Sequence, residues 1–111
     1  MHKQMIYKQI GVEELPGYLQ LGHLILLDVR DSKSFAAGHI EGAQHLSLDE
    51  FNNFFQSVSP ETPILLYCYH GISSQTVAQC LVDKGFKEVY SLTGGFEAWK
   101  QWKAQGPEQA P

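Results

Sequence analysis

The sequence predicts an α/β fold: a single domain built on a mostly parallel β-sheet with helices on both faces. Three observations carry that prediction. Residues 24–29, 64–68 and 88–92 are short, continuous apolar runs, the pattern of strands buried on both faces. Segments of helical period lie between them, and such strand–helix alternation implies a parallel sheet covered by helices. The 111 residues amount to one domain and leave no room for a second core.

Taken in chain order, Tyr7-Lys8-Gln9-Ile10 is a weak strand and residues 12–21 read as a helix. Leu24-Ile25-Leu26-Leu27-Asp28-Val29 is the first strong strand, followed by a helix over 32–37. Ala43-Gln44-His45-Leu46 is a second weak strand. The helix over 48–56 carries Asp49 and Glu50 in its first turn, where acidic side chains suit the helix dipole. Thr62-Pro63 launches the strand Ile64-Leu65-Leu66-Tyr67-Cys68. Ser73 or Ser74 then opens a helix to residue 84, with Val77, Ala78 and Leu81 as its apolar stripe and Gly85 as its C-terminal stop. After the strand at 88–92, Gly94-Gly95 opens a helix over 95–102. Trp99 and Trp102, three residues apart, are expected on its core face. Residues 1–104 form the expected domain and 105–111 a polar tail.

Composition excludes several classes of function. The apolar fraction of 43% and aromatic fraction of 12% suit a globular chain rather than a disordered one. Net charge is −4 with no Lys/Arg-rich run, which argues against nucleic acid and anionic membrane as partners. No apolar stretch is long enough to span a bilayer. Residues 1–6 lack an apolar signal core. Two cysteines, Cys68 and Cys80, do not form a disulfide framework, and with the scattered histidines they give no metal-ligand spacing. The expectation is a cytoplasmic protein without metal or organic cofactor.

In open parallel sheets the ligand site lies beyond the carboxyl ends of the strands, and Cys68 falls on that edge. A buried strand ends at this cysteine, a short loop containing Gly71 follows, and a helix begins at once. The loop must curl tightly to bring the sulfur over the helix N-terminus, and glycine permits the required backbone angles. Such a curl aims backbone N–H groups inward above a positive helix end, a nest for a thiolate, a persulfide sulfur or an oxyanion. A free thiol of pKa about 8.5 is only a few per cent ionised at pH 7, so the nest would make Cys68 reactive.

Cys68-Tyr69-His70-Gly71-Ile72-Ser73-Ser74 resembles the active loop of the rhodanese family. Leu27-Asp28-Val29-Arg30-Asp31 through Phe35, then Gly38-His39-Ile40-Glu41-Gly42-Ala43, is similar to the family's first motif. Leu92-Thr93-Gly94-Gly95-Phe96-Glu97-Ala98-Trp99 is similar to its second. The resemblance implies a five-stranded rhodanese fold and a persulfide mechanism. In that mechanism Cys68 takes the outer sulfur of thiosulfate and passes it to cyanide, a small thiol or a protein cysteine such as thioredoxin's, with no cofactor. A persulfide carrier with weak thiosulfate activity is the alternative. Larger rhodaneses carry arginine or lysine in the loop where this chain has Tyr69 and His70, which implies weak affinity for thiosulfate. Ser34 stands where an acidic residue is usual, and Leu46-Ser47 where a proline is, both read here as structural drift.

The loop also has the length of a cysteine phosphatase loop, but that chemistry needs an arginine at position 74 to fork onto two phosphate oxygens, and serine cannot do so. Asp28 and Arg30, at the same sheet edge, are expected chiefly to fix the turn, with Arg30 otherwise tuning charge at the loop. His70 has two readings: its ring donates to a bound oxyanion, or it points to solvent while its N–H serves the nest. Ser73 either bonds the persulfide or caps the helix. His39 is expected to be a satisfied structural histidine, Cys80 a core residue, and Gly94-Gly95 part of the cleft wall.

Overall fold

A computed structural model describes residues 6–106. Most of the expected tail (107–111) and of the N-terminal stretch expected to lack a signal core (1–5) therefore lies outside the described residues. The strands are β1 (Lys8–Ile10), β2 (Ile25–Asp28), β3 (Gln44–His45), β4 (Ile64–Tyr67) and β5 (Val89–Leu92). The helices are α1 (Leu15–Leu19), α2 (Ser32–Ala37), α3 (Phe51–Ser57), α4 (Ser73–Asp83) and α5 (Gly95–Ala104), and a 3-10 turn, Leu48–Glu50, leads into α3. The five strands pair in the order β1-β5-β4-β2-β3, and every pairing is parallel. β4 is central, so its carboxyl end is flanked by those of β2 and β5.

Strand side chains alternate between two apolar layers, as the pleat requires. Leu27, Ile64, Leu66 and Val89 face Ala78, Leu81 and Val82 of α4, with Phe51 and Phe54 of α3 beside them. Ile10, Leu26, Leu65, Tyr67 and Leu92 face Leu15 of α1 and the half-buried Phe96 and Trp99 of α5. Among the described residues no helix is long and apolar enough to cross a membrane.

Two helix ends show how local chemistry sets the boundaries. The helix expected over 12–21 forms only as Leu15–Leu19. Proline lacks an N–H and is tolerated only in a first helical turn, so Pro16 prevents an earlier start. At the end of α4, Gly85 adopts φ +103°, and the N–H groups of Gly85 and Phe86 donate to Val82 O and Leu81 O at 2.9 and 3.1 Å. This is a Schellman stop, as the glycine predicts.

Candidate active site

The chain leaves β4 at the fully buried Tyr67, and the next residue, Cys68, begins the loop. Its carbonyls turn away from the loop's interior toward the N-terminus of α5. Phe96 N–H donates to Cys68 O at 2.8 Å and Glu97 N–H to Tyr69 O at 3.0 Å. These are N–H groups for which a helix has no internal partner, so α5 holds the loop at no cost to itself. With the carbonyls fixed outward, N–H groups further along the loop point inward. Gly71 N–H and Ser74 N–H both donate to Cys68 Sγ at 3.2 Å, and the residue is only 4% exposed. Gln75 braces the turn, its amide donating to Gly71 O at 2.7 Å while its carbonyl accepts from the Tyr7 hydroxyl at 2.9 Å.

Two close approaches demand glycine. Gly71 has φ +84°, and a Cβ there would stand 2.6 Å from Gly94 N. Gly95 has φ +61°, and a Cβ there would stand 2.5 Å from Cys68 O. The Gly94-Gly95 pair thus touches the loop's backbone, where the sequence expected it to line the cleft. Replacing Gly71 by alanine combines the left-handed penalty of about 1–2 kcal/mol with this backbone overlap. An overall loss of about 2–3 kcal/mol is expected in denaturant unfolding. A loss under about 0.5 kcal/mol would contradict the packing described.

Burial pushes the Cys68 thiol up, but the Ser73 and Ser74 hydroxyls and the N–H groups of Ser74 and Gly71 outweigh it, leaving a pKa of about 7. An unshifted thiol near 8.5 would be about 3% ionised at pH 7, and Cys68 is about half ionised there. Because the folded value is the lower one, the thiolate persists down to about pH 7 and is lost below it. The rate of Cys68 alkylation by iodoacetamide should therefore rise with pH through a midpoint near 7. A midpoint near 8.5 would contradict the hydrogen-bond set.

The helix cap differs from expectation. Neither serine is the N-cap of α4; Ile72 holds that position without a side-chain bond. The acceptor that Ser would have provided is Cys68 Sγ, which takes the Ser74 N–H itself. That leaves the Ser74 hydroxyl to the Ser91 hydroxyl, 2.8 Å away.

Asp28 and Arg30 form a closed unit beside the loop. The Asp28 carboxylate accepts from Arg30 N–H at 2.9 Å, from Nε at 3.0 Å and from Nη2 at 2.7 Å. Nη2 also donates to Gly38 O at 2.6 Å, and His45 Nε2 lies 2.6 Å from Arg30 O. The guanidinium carbon is 4.0 Å from the Phe96 ring centroid and 5.2 Å from that of Tyr69. Arg30 thus touches the loop through the Tyr69 ring, and its hydrogen bonds go to the turn.

Ser34 and Tyr69, two of the departures from the family pattern, touch each other. Ser34 Oγ donates to Asp31 at 2.7 Å, so its lone pair is left to accept from the Tyr69 hydroxyl. Leu46 N–H donates to Asp28 O at 3.0 Å, a bond that proline could not make.

His70 is exposed, its ring 6.2 Å from that of Tyr69. Ile72, 75% exposed, and Tyr69, 43% exposed, stand on the rim of the thiol's recess. A cavity of about 420 Å³ walled by Arg30, Ser34, Phe96, Glu97 and Lys100 reaches the loop at Tyr69, and Cys68 is not among its lining residues. His39 bonds Phe35 O at 2.8 Å and stacks on the Phe35 ring. Cys80, expected in the core, is only half-buried: Ala78, Leu81 and Val82 take the inner face of α4 and leave position 80 on its flank. Trp99 packs on the α5 side of the sheet, but Trp102 is not in that core. Together they wall a groove of about 500 Å³ with Leu15, Leu19 and Ile40. Among the described residues no three His, Cys, Asp or Glu side chains group to hold a metal.

The sequence motifs give Tyr67 no role and Phe96 only its place in the second motif. Tyr67 Oη accepts from Ile40 N–H at 3.1 Å, and burial, together with the nearby Asp28 carboxylate, raises its pKa and keeps the phenol protonated. A lone tyrosine in an aliphatic strand was the available signal.

The sequence profile of the rhodanese-like domain matches residues 12–101. The chain is 50% identical over 96 residues to a Coxiella burnetii protein named thiosulfate sulfurtransferase GlpE, covering 86% of this chain and 90% of that one. A Tolumonas auensis protein of the same name is 45% identical over 94 residues, covering 85% and 89%. The crystal structure of a rhodanese-like domain protein from Staphylococcus aureus superposes with a TM-score of 0.73 at 26% identity, covering 83% of this chain and 90% of that one. Fold, motif order and these matches agree: the chain belongs to the rhodanese family.

Proposed function

We propose that the protein is a thiosulfate sulfurtransferase working through a persulfide on Cys68. The observation that carries this reading is a recessed thiol accepting two backbone N–H bonds at 3.2 Å beyond the end of the central strand. The Cys68 thiolate attacks the outer sulfur of thiosulfate; the S–S bond breaks and sulfite leaves with its electron pair. The product is Cys68–S–S⁻. Cyanide or a thiolate then attacks the outer sulfur, forming thiocyanate or a new persulfide and returning the Cys68 thiolate. This is nucleophilic covalent catalysis following thiol–disulfide exchange logic. Each step places negative charge on sulfur, where the N–H groups of Gly71 and Ser74 and the hydroxyls of Ser73 and Ser74 stabilise it.

The natural acceptor in this reading is a small thiol or a thioredoxin-like protein cysteine in the reducing cytoplasm. Both cysteines of the chain are free, which suits that compartment. Thiocyanate formation from thiosulfate and cyanide is the direct test, and no saturable formation would refute the reading. The neutral loop favours a second reading, a persulfide carrier loaded by another protein. Residues 69–74 hold no Lys or Arg, and Arg30 is taken up by Asp28. The KM for thiosulfate should accordingly exceed about 1 mM, the upper end of the usual range. Faster loading from a protein persulfide than from thiosulfate would favour the carrier.

A further inference from the structure

We infer that Ser91 is a positioning residue for the Cys68 sulfur, acting through the Ser74 hydroxyl. This rests on the proposed role of the Cys68 thiolate. Ser91 lies in β5 between Tyr90 and Leu92, outside the loop, and only 1% of it is exposed. A buried serine hydroxyl in an apolar strand needs a hydrogen-bond partner, because burying it unpaired is costly. Its main chain pairs with Gln9 of β1 and Leu66 of β4. Its hydroxyl lies 2.8 Å from the Ser74 hydroxyl, which is itself fully buried.

Each hydroxyl carries one proton, so the pair has two orientations. If Ser74 donated to Ser91, its proton would be unavailable to the sulfur. If Ser91 donates to Ser74, the Ser74 proton is free for the nearby Cys68 Sγ, which already takes the Ser74 N–H at 3.2 Å. A thiolate only accepts, so ionisation of Cys68 selects the second orientation and aligns a chain from Ser91 through Ser74 to the sulfur. Donation by Ser91 polarises the Ser74 hydroxyl and strengthens its bond to the anion. The same chain serves the persulfide, which also carries its charge on sulfur.

The test is the pH profile of Cys68 alkylation by iodoacetamide, read on the Cys68 peptide. It compares the parent, Ser91→Ala, Ser91→Thr, Ser74→Ala and the Ser74→Ala/Ser91→Ala double variant. Other titratable or charged groups around the loop, namely His70, Tyr69, Glu97, Lys100 and the Arg30–Asp28 pair, are common to all five proteins. Loss of one indirect bond should raise the midpoint in Ser91→Ala by about 0.3–0.5 unit, slowing alkylation at pH 6 about two- to threefold. Ser91→Thr should restore the parent profile, and Ser91→Ala should add no shift once the Ser74 hydroxyl is gone. An unmoved midpoint in Ser91→Ala, or an equal shift with and without that hydroxyl, would overturn the inference. A parent midpoint near 8.5 would instead remove the thiolate reading and this inference together.

Discussion

Replacing Cys68 by serine is expected to lower thiocyanate formation from thiosulfate by at least about a thousandfold, the scale on which loss of a nucleophile acts. Serine fits the recess, and its oxygen can accept the same bonds from Gly71 and Ser74 that hold Sγ at 3.2 Å. The fold should therefore survive with little change in unfolding free energy. What disappears is the ionisable, sulfur-accepting atom, since an alcohol remains protonated where the thiol is half ionised. Cys80→Ser, on the flank of α4, should retain parent activity. Steady-state rates for the two variants separate the roles. Turnover by Cys68→Ser near the parent rate would show that the sulfur travels by another route.

The largest stability effect belongs to Arg30. Its side chain is 2% exposed and that of Asp28 is 0% exposed, with the ion pair at 2.7 Å. Removing one member of such a pair strands the other as an uncompensated buried charge, which costs about 3–5 kcal/mol. Arg30→Leu should lose that much in denaturant unfolding, and it also deletes the bond to Gly38 O. Changing Asp28 to asparagine in the Arg30→Leu protein should recover part of the loss, because the stranded charge is gone. The double variant proving less stable than Arg30→Leu would show that charge burial is not the main term. Since the guanidinium also lies under the Tyr69 ring, a raised Cys68 alkylation midpoint in Arg30→Leu would show the pair supporting the loop as well.

The sheet was legible in the sequence because its inner strands are continuous aliphatic runs, which only a strand covered on both faces can use. β1 and β3 were fainter for the converse reason: edge strands here present exposed Lys8, Gln9 and Gln44. The position of Cys68 followed from topology, since a cysteine closing a central parallel strand must lie at the carboxyl edge. Local rules misplaced several features, two of them at helix starts. Periodicity carried α1 back past Pro16, although the proline's missing N–H fixes the start. Capping preference assigned a serine to the head of α4, whereas a sulfur six residues before Ser74 accepts the N–H that a cap would take. The partnerships between distant segments were the least visible part. Ser34 with Tyr69, Ser74 with Ser91 and Tyr67 with Ile40 join residues 17 to 35 positions apart, and no spacing rule links them.

The most direct measurement of a persulfide on Cys68 is the intact mass of the protein after exposure to thiosulfate, followed by peptide mapping. A Cys68 persulfide adds one sulfur atom, carried by the peptide containing Cys68 and removed by cyanide. A protein whose mass stays unchanged at saturating thiosulfate, or whose added sulfur maps to Cys80, would contradict it.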